Sequence, residues 1–314
     1  MGNNYRSPFQ SPAFFELCRS IDGFGAKAFA IKEKGKLQAL CVATLQKERN
    51  IKGFFSKRAI IYGGPLLTEN KEAVRALLNK IVSGLSGNIY TEIRNFRDYS
   101  NYKEDFENTG WKLEPHLNFH LDCSKEDIVW KNLNNNRQRQ IKKALKEGVV
   151  LDEARSEEDV KGFYDILSGL YKTKIKKPLF PLEFFLKFVK SGVGKILLVK
   201  FKNKIIGGIA CPIQKDETLY ELYICGLDHE YKECSPSVMA TYAAIEYGYR
   251  NGLQRFDFMG AGKAGEDYGV REFKEKFGGE LVEHGRFIKV NNRLLYDLGK
   301  MAVKVMTKKK NRRS

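Results

Sequence analysis

Residues 255–279 read RFDFMGAGKAGEDYGVREFKEKFGG. An apolar strand carrying one carboxylate, Asp257, breaks into a glycine-rich loop, and a short helical run follows and stops at Gly278 and Gly279. On a strand, Phe256 and Phe258 face one way and Asp257 the other, so the carboxylate is solvated, paired or set into a cleft. Phe273 and Phe277 are four apart and share one helical face, which puts Lys274 beside an anchored stripe. Read plainly, this is a sheet-to-helix connection with a surface lysine. Read functionally, it directs a cation and a carboxylate at a loop mouth.

The pattern along the chain predicts a helix over 12–20, strands over 26–32 and 37–46, and a turn at Gly63-Gly64-Pro65. A helix over 71–85, a strand over 89–94 and further strand near 117–121 follow. A second unit opens with a basic helix over 136–147 and a strand over 149–153. Its next helix is introduced by Ser156, which can cap, and by acids that suit a positive helix end. After a lysine-rich connection at 172–177 come a helix over 181–190 and strands over 195–201, 204–213 and 219–226. A long helix over 235–251 ends at Gly252 and leads into the strand bearing Asp257.

The stretch 255–279 resembles the closing motif of the FemABX family, the peptidoglycan bridge aminoacyltransferases, which carry an FDF-type strand, a glycine loop and F-K-x-x-F-G. NNRQRQIKKALKEGVVL at 135–151 is similar to the basic helix that opens the family's second domain, and IIYGGPLL at 60–67 resembles the glycine-proline turn of its first. The resemblance spans residues 14–290. Helix, helix, a meander of strands, then helix and strand is also the element order of the GNAT acyltransferase fold. The expected class is α/β (α+β), with two tandem GNAT-like domains, each a mixed sheet flanked by helices. Their expected limits are 1–125 and 126–300, with a basic tail over 301–314.

Two departures matter. GNAT enzymes that use acyl-CoA place a glycine-rich loop before the long helix, whose backbone amides hold the pyrophosphate. Here that place reads YKECSPSV, without glycine and with Pro236 at the helix entrance. Some family members also carry a coiled-coil arm, and no sustained heptad pattern occurs here.

The resemblance implies that Lys274 is the family's motif lysine, stabilising the charge of an acyl-transfer intermediate or the departing ribose oxygen. Asp257 could orient the attacking amine or accept its proton, or else serve as a structural partner for Arg255 or Arg271. Tyr223, on a strand where residues of like parity point together, would share a face with Glu221 and Cys225 and could hydrogen-bond a substrate. Arg137 and Arg139, with Lys142 and Lys143, form a dense basic cluster suited to phosphate, or else a solvated helix face. Tyr268 and Arg271, in and after the glycine loop, complete the substrate-binding candidates.

Lys and Arg number 55 against 38 Asp and Glu, a formal charge of +17, so the surface should attract an anion such as nucleic acid, a phosphorylated metabolite or anionic lipid. Six scattered cysteines read as reduced core residues of a cytoplasmic protein. Four histidines lack zinc spacing, so no metal is expected. The N-terminus lacks a signal peptide's apolar core and no run of about 18 apolar residues exists. The tail after Val303 has six basic residues and no acid, and could rest on the anionic inner face of the cell membrane.

The leading expectation is an aminoacyltransferase that uses aminoacyl-tRNA as co-substrate, with no tightly bound cofactor. It would act on an anionic cell-wall precursor, lipid II or a UDP-linked muropeptide. An N-acyltransferase using acyl-CoA is the alternative enzyme. A non-catalytic RNA- or membrane-associated protein with a decayed site is the alternative outside enzymology.

Overall fold

A computed structural model describes residues 6–47, 57–176, 178–266 and 269–301. The expected basic tail and Tyr268 lie outside the described residues. Contacts divide the chain into two units, Met1–Glu114 with His284–Ser314, and Pro115–Glu283.

The first unit holds α1 (Pro12–Arg19), β1 (Phe24–Glu33), β2 (Lys36–Gln46), β3 (Arg58–Gly63), α2 (Lys71–Leu85), β4 (Tyr90–Asn95), α3 (Lys103–Asn108) and β5 (Lys112–Glu114). Asn70 caps α2 by accepting from the Ala73 amide, and Val74, Leu77, Leu78, Ile81 and Leu85 recur at helical spacing to pack the core. β3 and β4 run parallel, with Ile61 opposite Ile93 and Tyr62 opposite Arg94. β3 ends in Gly63 and Gly64, both at positive φ. A Cβ on Gly64 would stand 2.4 Å from the Tyr99 hydroxyl oxygen, and that hydroxyl reaches the carbonyls of both Gly63 and Pro65. Beyond the turn, Leu66 bridges back to Leu40 of β2.

The second unit opens with β6 (Leu117–Asp122), α4 (Glu126–Asn132), α5 (Asn135–Lys146), β7 (Val150–Glu153) and α6 (Glu157–Leu170). Ser156 and Asp159 form a reciprocal capping box at the start of α6. A π-helical turn (Tyr171–Ile175) closes α6, and α7 (Leu182–Lys190), β8 (Gly194–Phe201), β9 (Lys204–Gln214), β10 (Thr218–Tyr220) and β11 (Tyr223–Gly226) follow. The unit ends with α8 (Pro236–Arg250), β12 (Arg255–Asp257), α9 (Gly269–Glu275) and β13 (Glu280–Glu283). Its sheet runs β13-β6-β12-β10-β9-β8-β7, with β11 also on β9.

The last strand, β14 (Arg286–Val290), returns to the first unit and pairs with β4 and β5, giving the order β1-β2-β3-β4-β14-β5. β6 makes the opposite crossing and pairs with β12 and β13. The expected limits at 125/126 and 300 are therefore corrected. β6 lies before the expected boundary but its Leu117, Phe119 and Leu121 complete the second core, whereas Phe287 of β14 completes the first.

Candidate active site at the strand fork

β10 and β12 pair in parallel for three residues, Thr218 to Tyr220 against Arg255 to Asp257, and the Glu221 amide donates to the Asp257 carbonyl at 2.9 Å. There the strands part. Leu219 stands opposite Ile213 on β9, but Tyr223 stands opposite Ala210, so one extra residue is inserted at Glu221 and Leu222 and the chain bends away along β9. The other arm continues into Phe258, Met259 and Gly260, with φ of 56° at Met259 and 138° at Gly260.

Lys274 of α9 ties the two arms together. Its Nζ donates at 2.8 Å to Phe258 O, at 2.8 Å to Gly260 O, and lies 2.8 Å from Glu221 Oε1. An ammonium has three donors and no acceptor, so all three are committed. Lys274 is only 6% exposed, which corrects the reading of a surface lysine: the stripe of Phe273 and Phe277 carries it inward.

Glu221 is 7% exposed. One oxygen meets Lys274, and Oε2 is buried with no hydrogen-bond partner. Burial raises its pKa, against the lowering pull of Lys274, and the nearby Asp257 adds to the rise. Asp257 is buried too. Its Oδ1 accepts from Asn118 Nδ2 and from the Met259 amide, both at 2.7 Å, and Oδ2 lies 3.1 Å from His120 Nε2. Asn118 Oδ1 in turn accepts from the Gly260 amide at 2.7 Å. Asp257 and Asn118 thus hold the left-handed turn at Met259 open.

The inserted residue also overturns the expected common face of Glu221, Tyr223 and Cys225. Tyr223 packs on Tyr171, Phe180 and Phe185, and Cys225 lies against the Phe163 carbonyl of α6, whereas Glu221 meets α9. Arg271 gives its guanidinium to the carbonyls of Ala261, Lys263 and Glu266, so it fixes the glycine loop.

Arg137 is 6% exposed, which corrects the expected phosphate ligand. Its guanidinium donates to Gln140 Oε1 and to the Phe273 carbonyl, and lies over the rings of Phe273 and Phe277 at 4.5 and 4.9 Å. Burial lowers its pKa to about 10. It pins α5 to α9. Arg139 is exposed and bonded to Asn136 of its own helix, and Lys143 pairs with Glu233. Among the described residues no cluster of His, Cys, Asp and Glu could hold a metal ion, and burial raises the thiols of all six cysteines.

Residues 131–275 match the family described as Acetyltransferase (GNAT) domain, and no curated protein matches the sequence. FemX superposes with a TM-score of 0.71 at 16% identity, over 95% of each chain. The fold is a tandem GNAT fold like that of FemX. The C-terminal domain of an Agrobacterium fabrum protein described as a lysylphosphatidylglycerol synthetase gives 0.61 at 12% identity, over 95% of this chain and 93% of that one. A tandem GNAT protein from the clavulanic acid biosynthesis pathway gives 0.54 at 9%, over 87% and 85%. Each likeness is one of fold.

Within that GNAT fold, the helix that would receive an acyl-CoA pyrophosphate is α8. Its start is occupied. Asp228 Oδ1 accepts from the Ser237 amide at 2.9 Å and Oδ2 takes the Ser237 hydroxyl, while Pro236 supplies no N–H. A Cβ on Gly226 would meet the Ser237 amide nitrogen at 2.5 Å, so β11 lies tight against the helix entrance. Asp228 and His120 were not singled out in the sequence. The only sequence signal for the first is the absent glycine loop, and for the second the alternating run around it.

Proposed function

We propose that this protein is an aminoacyltransferase that moves an amino acid from aminoacyl-tRNA to the stem-peptide amine of a peptidoglycan precursor, lipid II or a UDP-linked muropeptide. The observation that carries the choice of donor is the Asp228 carboxylate on the first free amide of α8. A pyrophosphate would have to displace it and sit beside its negative charge. An ester of tRNA makes no such demand, and the basic surface suits it.

At the fork the chemistry divides among the residues present. The neutral acceptor amine attacks the ester carbonyl, whose π electrons move to oxygen, and the proton that the resulting N–H cation sheds passes through one water to Glu221. The C–O bond to ribose breaks as the carbonyl re-forms, and the ribose oxygen takes that proton from Glu221. Lys274 acts as a positioning residue, holding Glu221 and the Phe258–Gly260 arm in register. Asp257 keeps Met259 and Gly260 in the conformation that opens the fork.

The match to an acetyltransferase domain favours a second reading, an N-acyltransferase with another acyl donor. The test is single-turnover transfer from labelled aminoacyl-tRNA mixtures, or from acyl-CoAs, to purified precursors, followed by mass spectrometry. Label reaching the precursor from tRNA supports the proposal; transfer from acyl-CoA without tRNA would sink it.

A further inference from the structure

Two residues beyond β14 the chain enters a helix over 293–301. Asn292 begins it, its Oδ1 accepting from the Leu295 amide at 3.0 Å. One side of the helix is anchored to the first unit: the Asn292 amide donates to the Ile89 carbonyl, and the Tyr296 ring lies 5.3 Å from that of Tyr90. Another side is apolar and bare. Leu294, Leu298 and Met301, spaced by four and three, form one stripe and are 72%, 46% and 56% exposed. Among the described residues, every other large apolar side chain so exposed, namely Leu145, Val150, Val270 and Leu281, belongs to the second unit. In the first unit such exposure is therefore gathered on this helix.

We propose that the helix over 293–301 docks the protein on an anionic lipid bilayer, with Leu294, Leu298 and Met301 entering the interface. Charge selects the occupant. Residues 291–314 hold eight Lys or Arg against one acid, Asp297, and Asp297 is paired with Arg293 at 2.8 Å. Strand register adds to this. Phe24, Gln46, Arg58, Tyr90 and Val290 stand abreast along one end of the first sheet, the end from which the helix departs. Lys27, Lys47 and Lys57 line a cavity there, with Asp22. A second copy of the chain seated on the stripe would bring the same cations face to face. Nucleic acid would take the cations but leave the apolar stripe in water. An anionic bilayer satisfies both, headgroups meeting the cations and acyl chains the stripe. Three side chains are a small anchor, so docking needs the apolar and the charged contribution together.

Docking makes no use of the second-unit fork, so it and the transfer reaction can fail separately. Flotation of the full chain with phosphatidylcholine vesicles, with and without phosphatidylglycerol, tests it. The wild type should float with the phosphatidylglycerol vesicles and hardly at all with phosphatidylcholine alone. Replacing both Leu294→Ser and Leu298→Ser should lower the bound fraction's partition constant at least about 10-fold, with an unfolding midpoint equal to the wild type's because both side chains are exposed. Leu294→Trp should add a fluorescence component that shifts to the blue only with the anionic vesicles. Failure of the wild type to float, undiminished flotation of the double serine variant, or a bound Leu294→Trp protein without the shift overturns the proposal. So does a wild-type dimer in sedimentation that the double variant abolishes, which would assign the stripe to a second copy, or a loss of tRNA binding in that variant at unchanged flotation.

Discussion

Lys274 and Glu221 form a pair whose partners cannot be removed singly without leaving a charge buried. Lys274→Met should cost about 3–5 kcal/mol in chemical denaturation, and Lys274→Met with Glu221→Leu should recover most of it. A catalytic cation would instead leave stability nearly intact. Glu221 and Glu92 also respond to pH in opposite senses. Glu92, ordinarily at 4.5, would be raised by burial, but Arg94 and Arg286 hold it at about 2, so its contribution is present above about 4.5 and is lost as pH falls toward 2. Glu221 is raised by burial, so its contribution is full below the ordinary carboxylate range and is lost as pH rises through the raised value. Under the proposed mechanism transfer needs deprotonated Glu221. The rate of a single turnover should climb with pH through that raised value, and Glu221→Gln should flatten the profile and lower kcat by about 10²–10⁴. A profile unchanged in Glu221→Gln would exclude it as the base.

At the level of elements, α5 and α9 are joined through Arg137, and α8 is closed by Asp228. Arg137→Ala should lower stability by about 2–4 kcal/mol through the lost ring contacts and hydrogen bonds, measured as a shift in denaturation midpoint, while Arg139→Ala should change it by under about 0.5 kcal/mol. Asp228→Ala removes a helix cap worth about 1 kcal/mol and frees the Ser237 amide. Detectable acyl-CoA binding in that variant alone would show that the carboxylate guards the helix. Most elements were legible, since α2, α6 and α8 carry helical periodicity and caps, and β9 is a long apolar run. The strand expected over 219–226 is two strands, β10 and β11, and the single inserted residue that parts them leaves no mark in an apolar sequence. Arg137 likewise looks like its exposed neighbour Arg139. Only the docking of α5 on Phe273 and Phe277, 136 residues away for the Arg137–Phe273 bond, distinguishes them.

Across the whole molecule, the tandem order was legible while the exchange of β6 and β14 was not. Both strands are short, and their partners are set by tertiary register that no local pattern encodes. Among the described residues no helix is long and apolar enough to cross a membrane. The +17 charge predicts that affinity for tRNA or a phosphorylated precursor falls steeply as salt rises from 50 to 200 mM, with a slope that gel-shift titration can measure. A flat salt response would exclude phosphate contacts as the main source of affinity. The exchanged strands also bear on how the chain folds as it leaves the ribosome. After Glu114 emerges, β4 and β5 must wait for about 170 further residues before Arg286 arrives to lie between them, on the order of 10–30 s at ordinary elongation rates. During that interval the nascent first unit has a gap in its sheet, with unpaired backbone groups and no Phe287 in its core. Such an edge is a template for chaperones or for another nascent chain, so slowing synthesis should increase aggregation of this protein, whereas an N-terminal unit with its sheet already complete would be protected.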